Sequence, residues 1–240
     1  THVGGSVGAV GNNERGVCGV MHRVSLMAVK VLSDGGWGNS SDIIEGIYYA
    51  VNNGARVINA SYGSFSYQYA VEEALAYAEK NNVLFVAAAG NWAKDNDRTP
   101  FFPASYKNDN VISVGASQSD SVYAFWLTHY GKNSVDIMAP GVHVLGPVPR
   151  DKGYYNFNTG TSMSAPFVTG AMGLLIAYNP YQSTSWYKSI LLKTAWKHPA
   201  LTDRCVSGGH LDLGQMLKEG VPYHRPIQAE LLKKWFQYYH

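Results

Sequence analysis

Charged residues are scarce in this chain, at 15% of 240 residues, and the formal net charge is only +2. No run of lysine and arginine is long enough to hold a polyanion, so we expect no nucleic-acid partner. No apolar run reaches the roughly 18 residues of a membrane-spanning helix, and we expect no span. An initiator methionine and a signal peptide are also missing, so we expect the natural N-terminus to lie elsewhere.

Cysteine is almost absent, since the chain contains only Cys18 and Cys205. Neither has a second cysteine or a histidine at metal-ligand spacing, which argues against a structural zinc site. The two cysteines are far apart in the sequence, and spacing alone leaves open whether they are free or form a disulfide.

Hydrophobic residues make up 46% of the chain, a globular proportion that suits one large domain. Apolar segments alternate with segments of helical periodicity. The pattern predicts strands at residues 24–32, 56–60, 83–89, 110–116 and 134–138. It predicts helices near residues 40–54, 71–82, 161–178, 187–194 and 228–239. This order predicts an α/β fold with a mostly parallel sheet and helices on both faces. We expect a single domain over residues 1–240, with 220–240 as a C-terminal helical extension.

Three unusual loops follow predicted strands, at residues 59–63, 87–91 and 158–166. Parallel sheets place active sites at the carboxyl ends of their strands. Ser162 lies at the start of a predicted helix, where the N-terminal field favours negative charge. Taken alone, Ser162 is better interpreted as a helix N-cap and Asn91 as an ordinary loop asparagine.

The run Gly160-Thr161-Ser162-Met163-Ser164-Ala165-Pro166 resembles the nucleophile motif of the subtilisin-like serine proteases, the subtilase family. Further matches follow the order of the family's motifs. They are residues 1–5 (the end of H-G-T-H-V-A-G), 87–91 (the oxyanion loop), 102–106, 135–141 (V-D-I-x-A-P-G) and 207–211 (S-G-G-R-L, with His for Arg). The resemblance covers residues 1 to about 215. Residues 125–131 resemble F-S-N-Y-G with two residues added, so the geometry of that loop is not predicted.

The resemblance implies a subtilisin-like three-layer fold and a serine endopeptidase acting on polypeptides. Ser162 would be the nucleophile, forming an acyl-enzyme, and Asn91 would belong to the oxyanion hole. The implied substrate-binding residues are Gly36, Trp37, Gly38, Ser61, Tyr62, Gly63, Ala88, Ala89 and Gly90. The walls are small and uncharged, which favours an apolar or broad preference at the residue before the cut. Trp37 is bulky for its place, and we expect it to narrow the next apolar subsite.

The family's catalytic His and Asp have no match in this chain. His2 matches the second, non-catalytic histidine of H-G-T-H-V-A-G, and the catalytic pair would lie upstream. The chain is then either a piece of an active protease, the favoured interpretation, or a catalytically dead subtilase-like module that binds peptides. We expect the isolated chain to be nearly inactive and poorly soluble, because a central strand of the sheet would also be missing.

The remaining expectations also come from the resemblance. No cofactor is required and no metal ligand is assigned, although calcium is conceivable in the loop at residues 11–16. A propeptide upstream and a secreted or endomembrane-lumen location are implied. The Phe102–Pro103 peptide bond is expected to be cis.

Overall fold

The computed structural model describes residues 1–118, 124 and 126–221. Within these ranges the helices are α1 (His2–Gly8), α2 (Ser40–Asn52), α3 (Tyr69–Lys80), α4 (Thr161–Tyr178), α5 (Thr184–Thr194) and α6 (Leu213–Gly220). The strands in the same ranges are β1 (Val57–Ala60), β2 (Leu84–Ala88), β3 (Val111–Ser117), β4 (Ile137–Pro140), β5 (Val144–Pro147), β6 (Tyr155–Asn158), β7 (Trp196–Lys197) and β8 (Gly209–His210).

A mostly parallel sheet carries the fold, with the strand order β1-β2-β3-β4-β8-β7. The neighbouring pairs β1–β2, β2–β3, β3–β4 and β4–β8 are parallel, and the short edge strand β7 is antiparallel to β8. The strands β5 and β6 form a separate antiparallel pair. Every residue of β2 and β3 is buried, as expected of parallel strands covered on both faces.

Helices cover the sheet on both faces. Alternate residues of β2 point to opposite sides, so that Leu84 and Val86 pack with α4, α5 and α6, whereas Phe85 and Ala87 pack with α2 and α3. The predicted three-layer α/β architecture is confirmed. The α4 prediction of residues 161–178 matches the observed bounds.

The prediction of a buried strand at residues 24–32 is wrong. This segment has no regular secondary structure, and most of it is exposed, Leu26 by 54%. A cavity of about 1420 Å³ lies between residues 24–31 and β1, with α1 and α2 also lining it. A strand needs a hydrogen-bonded neighbour, and across this cavity the segment has none among the described residues.

Three further expectations concern a cis peptide bond, the two cysteines and the C-terminal helix. The Phe102–Pro103 peptide bond is cis, as expected. Cys18 is exposed and Cys205 is buried, and both are free, so the disulfide alternative is wrong. The predicted helix at residues 228–239, and almost all of the predicted extension at 220–240, lie outside the described residues.

One helix in the described part of the chain, α4, is long and apolar enough to cross a bilayer. In the fold, 61% of that apolar stretch is buried, and α4 packs against β1, β2, β3 and β4. Its apolar character is that of a helix in the centre of a protein core.

Candidate active site

Ser162 is the second residue of α4 and is half-buried. The N-cap position belongs instead to Gly160, with a φ of 151° that favours glycine, so the interpretation of Ser162 as an N-cap is wrong. The amide N–H of Ser162 is in the first helical turn, where N–H groups have no partner within the helix. The hydroxyl and a free amide donor of Ser162 thus lie together at the positive end of α4.

Asn91 is held beside this helix end by Thr161. Its Oδ1 accepts hydrogen bonds from the backbone N of Thr161 at 2.8 Å and from the Thr161 hydroxyl at 2.9 Å. The Thr161 hydroxyl in turn accepts from the backbone N of Gly90 at 3.1 Å. Because Oδ1 is engaged by two donors, the amide orientation follows from the network, and Nδ2 is the donor that stays available.

Ser61, at the end of β1, and Ser162 are joined by two reciprocal hydrogen bonds. The Ser162 hydroxyl donates to the carbonyl oxygen of Ser61 at 3.2 Å, and the Ser61 hydroxyl donates to the carbonyl oxygen of Ser162 at 2.9 Å. Asn59 donates to the Ser61 hydroxyl at 2.9 Å and accepts from the Thr169 hydroxyl at 2.8 Å. The nucleophile candidate is therefore tied to the substrate-wall candidate by a chain of side chains.

Pro166 explains why Ser162 needs this partner. α4 begins at Thr161 and Pro166 is its sixth residue, so the proline lies beyond the opening turn, where a missing N–H would cost little. At that position a residue with an N–H would donate to the carbonyl of Ser162, four residues earlier. The Ser61 hydroxyl takes the place of that lost hydrogen bond. Sequence reasoning assigned Ser61 to a substrate wall and missed this role.

The predicted substrate-binding residues fall into three groups, and two of them, residues 61–63 and 88–90, lie next to the site. Gly63 follows β1 and is exposed, whereas Ala88, Ala89 and Gly90 run from the end of β2 into a buried loop. The structure brings both groups alongside Ser162 and Asn91, through the hydrogen bonds of Ser61 and of Gly90. Gly36, Trp37 and Gly38 form a separate exposed turn, in which Trp37 is 83% exposed.

Two of the three buried histidines in the described residues, His2 and His129, make contacts that lie away from Ser162. His2 lies on α1, and its Nε2 is 3.0 Å from the carbonyl oxygen of Val144 in β5. His129 is fully buried, and its Nδ1 is 2.8 Å from Oδ1 of Asn96. Asn96 uses its Nδ2 to donate to the carbonyl of Ala89, so His129 carries its proton on Nδ1. Burial and the nearby positive charge of Lys94 lower the pKa of His129 to about 4.

The family model described as "Subtilase family" matches residues 1–216. The chain belongs to the subtilase family of subtilisin-like serine proteases. It is 39% identical over 196 residues to subtilisin DY from Bacillus licheniformis, an alignment that covers 81% of this chain and 69% of that protein. It is 40% identical over 195 residues to alkaline elastase YaB from Bacillus sp. (strain YaB), which covers 81% of this chain and 49% of that protein.

A solved structure of proteases from Pseudoalteromonas arctica is similar throughout this subtilase domain. The TM-score is 0.82 at 30% identity, and the match covers 92% of this chain and 70% of the other. The chain spans about half the length of several curated relatives.

The loop at residues 11–16 is where the family resemblance makes calcium conceivable in this subtilase. The side-chain oxygen of Asn13 accepts a hydrogen bond from the backbone N of Arg15, so it is already used within the turn. Among the described residues, no group of three or more His, Cys, Asp or Glu side chains is arranged to hold a metal. Carbonyl and amide oxygens are also calcium ligands, so calcium in this loop stays a prediction from the family resemblance.

Replacing Ser61 by alanine tests the link between the wall and α4. We expect Ser61→Ala to lower the free energy of unfolding by about 1–3 kcal/mol, because the carbonyl of Ser162 loses its donor at a half-buried place. Urea unfolding measures the change. Ser66→Ala, an exposed serine of the same loop, is the matched control and should stay within about 0.5 kcal/mol of wild type. Equal stability of both variants would contradict the role given to Ser61.

His129 predicts a pH dependence of stability. Its pKa is lowered from 6.5 to about 4 in the folded state, so below pH 6.5 the unfolded chain takes up the proton and the folded chain does not. The contribution of His129 to the free energy of unfolding is therefore fully present above about pH 6.5. It is lost as the pH decreases to about 4, by up to about 3 kcal/mol. His129→Asn, which does not titrate, should lack this component in denaturant unfolding measured at several pH values. The interpretation fails if the difference between wild type and His129→Asn does not change with pH.

Proposed function

We propose that this subtilase domain carries the nucleophile and the oxyanion donors of a serine endopeptidase. Ser162 attacks the carbonyl carbon of the scissile peptide bond, and its proton passes to a base. The negative oxygen that forms accepts hydrogen bonds from Nδ2 of Asn91 and from the backbone N of Ser162. The C–N bond then breaks, the amine leaves with a proton, and water hydrolyses the ester on Ser162.

The hold of Thr161 on Asn91 is the observation that carries this proposal. Two hydrogen bonds to Oδ1 orient the amide so that Nδ2 is the available donor, next to the helix end that bears Ser162. Preorganised donors of this kind stabilise charge in a transition state because they need no reorientation during the reaction. The similarity to curated subtilisins supports the same assignment.

Among the described residues, the Ser162 hydroxyl donates to the Ser61 carbonyl and not to a histidine or a carboxylate. We propose that the base and its carboxylate partner come from a segment that precedes Thr1 in the natural protein, and that a strand of this segment completes the sheet. The cavity between residues 24–31 and β1 supports this, because both of its sides present backbone that lacks a strand partner. A peptide-binding module without catalysis is the second candidate, favoured by the same hydrogen bond of Ser162 to a carbonyl.

A fluorophosphonate probe, which labels activated serines, separates the two candidates. We expect the full-length gene product to be labelled at Ser162 and residues 1–240 alone to stay unlabelled, since loss of a triad base costs many decades of rate. Ser162→Ala should abolish labelling. Asn91→Ala should lower peptide hydrolysis by about 10²–10³-fold, the range measured in subtilisin itself, a member of this family. An unlabelled full-length product would favour the peptide-binding module, and strong labelling of residues 1–240 would contradict the missing base.

Soluble yield tests the completion of the sheet. We expect residues 1–240 to express with much lower soluble yield than the full-length gene product, because the backbone around the cavity lacks strand partners. Expression of both chains under one promoter, with soluble fractions compared on the same gel, measures this. Equal yields would count against a strand that fills the cavity.

A further inference from the structure

The space between the two candidate substrate walls is spanned by two aromatic rings. Gly63 lies on one wall, and a side-chain carbon placed there would be 2.5 Å from Cε1 of Phe101. Gly90 lies on the other wall, and a side-chain carbon there would be 2.5 Å from Nδ1 of His129. The Phe101 and His129 rings contact each other, with centroids 5.3 Å apart. A continuous row of contacts thus crosses from one wall to the other: Gly63 contacts Phe101, Phe101 contacts His129, and His129 contacts Gly90.

The burial of Phe101 and His129 indicates that, in the part of the chain that the structure describes, no deep recess opens between the walls. Phe101 is 4% exposed and His129 is 0% exposed. Residues that line an open side-chain pocket would be accessible to solvent in an empty site. The space below Gly63 and Gly90 is therefore filled by the protein's own rings, at the packing density of a core.

This floor is anchored and cannot simply swing aside. The backbone N of His129 donates to the carbonyl of Gly90 at 2.9 Å, and its ring is held by Asn96, which also binds Ala89. The backbone N of Phe101 donates to the Ser105 hydroxyl at 3.0 Å. Moving the His129 ring would break its hydrogen bond with Asn96, and moving the Phe101 ring would break its packing against His129.

Two exposed rings form the rim above the floor. Phe65 is 43% exposed and Trp92 is 57% exposed, and their centroids are 5.1 and 5.5 Å from that of Phe101. The ammonium of Lys94 lies 4.4 Å from the centroid of the Phe65 ring. A substrate side chain that enters between the walls therefore contacts aromatic rings at the entrance of the subsite.

We propose that Phe101 and His129 close the subsite for the residue before the cut, so that this protein selects glycine, alanine or serine there and rejects large side chains. The proposal rests on the function proposed above and refines the broad apolar preference expected from the small walls. A large side chain would have to displace a packed ring, which costs overpacking strain, whereas a methyl group fits above the floor.

Kinetics with paired peptides tests the closed subsite in the full-length gene product. The substrates are two acyl-tetrapeptide anilides that differ only in the residue before the cut, which is alanine in one and phenylalanine in the other. We expect kcat/KM to be higher for the alanine substrate by about 100-fold or more. Phe101→Ala should open the floor and raise the phenylalanine-to-alanine ratio at least about tenfold. Trp196→Ala, an exposed aromatic on β7, is the matched control and should leave the ratio unchanged. A wild-type preference for phenylalanine, or an unchanged ratio in Phe101→Ala, overturns the proposal.

Two further measurements keep the test decisive. If Phe101→Ala does not fold, His129→Ser removes the other half of the floor and should shift the ratio in the same direction. If the full-length product neither hydrolyses peptides nor reacts with fluorophosphonate, the proposed function fails, and the subsite is tested separately by binding. In that case NMR titration of the Ser162→Ala protein with peptides ending in alanine or phenylalanine should show tighter binding of alanine, and the opposite order overturns the closed subsite.

Discussion

The whole site depends on a small set of hydrogen bonds that fasten the start of α4 to the ends of two neighbouring strands. Thr161 holds Asn91 after β2, and Ser162 and Ser61 hold each other after β1. A serine at a helix start is common and has no chemical consequence by itself. These bonds give the serine a defined position relative to an amide donor and to the candidate substrate wall, as the proposed nucleophile would require.

The parallel sheet makes such an arrangement possible because the carboxyl ends of β1 and β2 share one edge. The central helix α4 packs across the same strands, and this packing in the core places its first turn at that edge. Pro166 removes one hydrogen bond within α4, and the Ser61 hydroxyl donates a hydrogen bond to the carbonyl of Ser162 in its place. The rigidity of the site therefore comes from contacts between elements rather than from α4 alone.

Much of this arrangement was predictable from local patterns. The apolar run of residues 161–178 gave the bounds of α4, and the buried segments at 83–89 and 110–116 correspond to β2 and β3. The heptapeptide at 160–166 pointed to Ser162, and the structure brings Ser162 and Asn91 together. Their catalytic roles stay predictions, as does the effect of Trp37 on a subsite.

What the sequence could not supply is pairing over long distances. Residues 24–32 have the composition of a strand, but none of the residues that the structure describes is hydrogen-bonded beside them as a neighbouring strand. Ser61 as a substitute partner for Ser162, and Phe101 against His129, join residues 101 and 28 positions apart. The only local signals were a proline within the α4 pattern and a histidine in the altered F-S-N-Y-G segment. Neither signal says which residue lies opposite.

A crystal structure of the full-length gene product with a peptide boronic acid bound to Ser162 would show whether Asn91 and Ser162 form an oxyanion hole. The boronate is tetrahedral, and one of its oxygens stands in for the oxyanion. We predict that this oxygen lies at about 2.7–3.1 Å from Nδ2 of Asn91 and from the backbone N of Ser162. An oxygen that points away from Asn91, or an Asn91 whose Oδ1 has left Thr161, would contradict it.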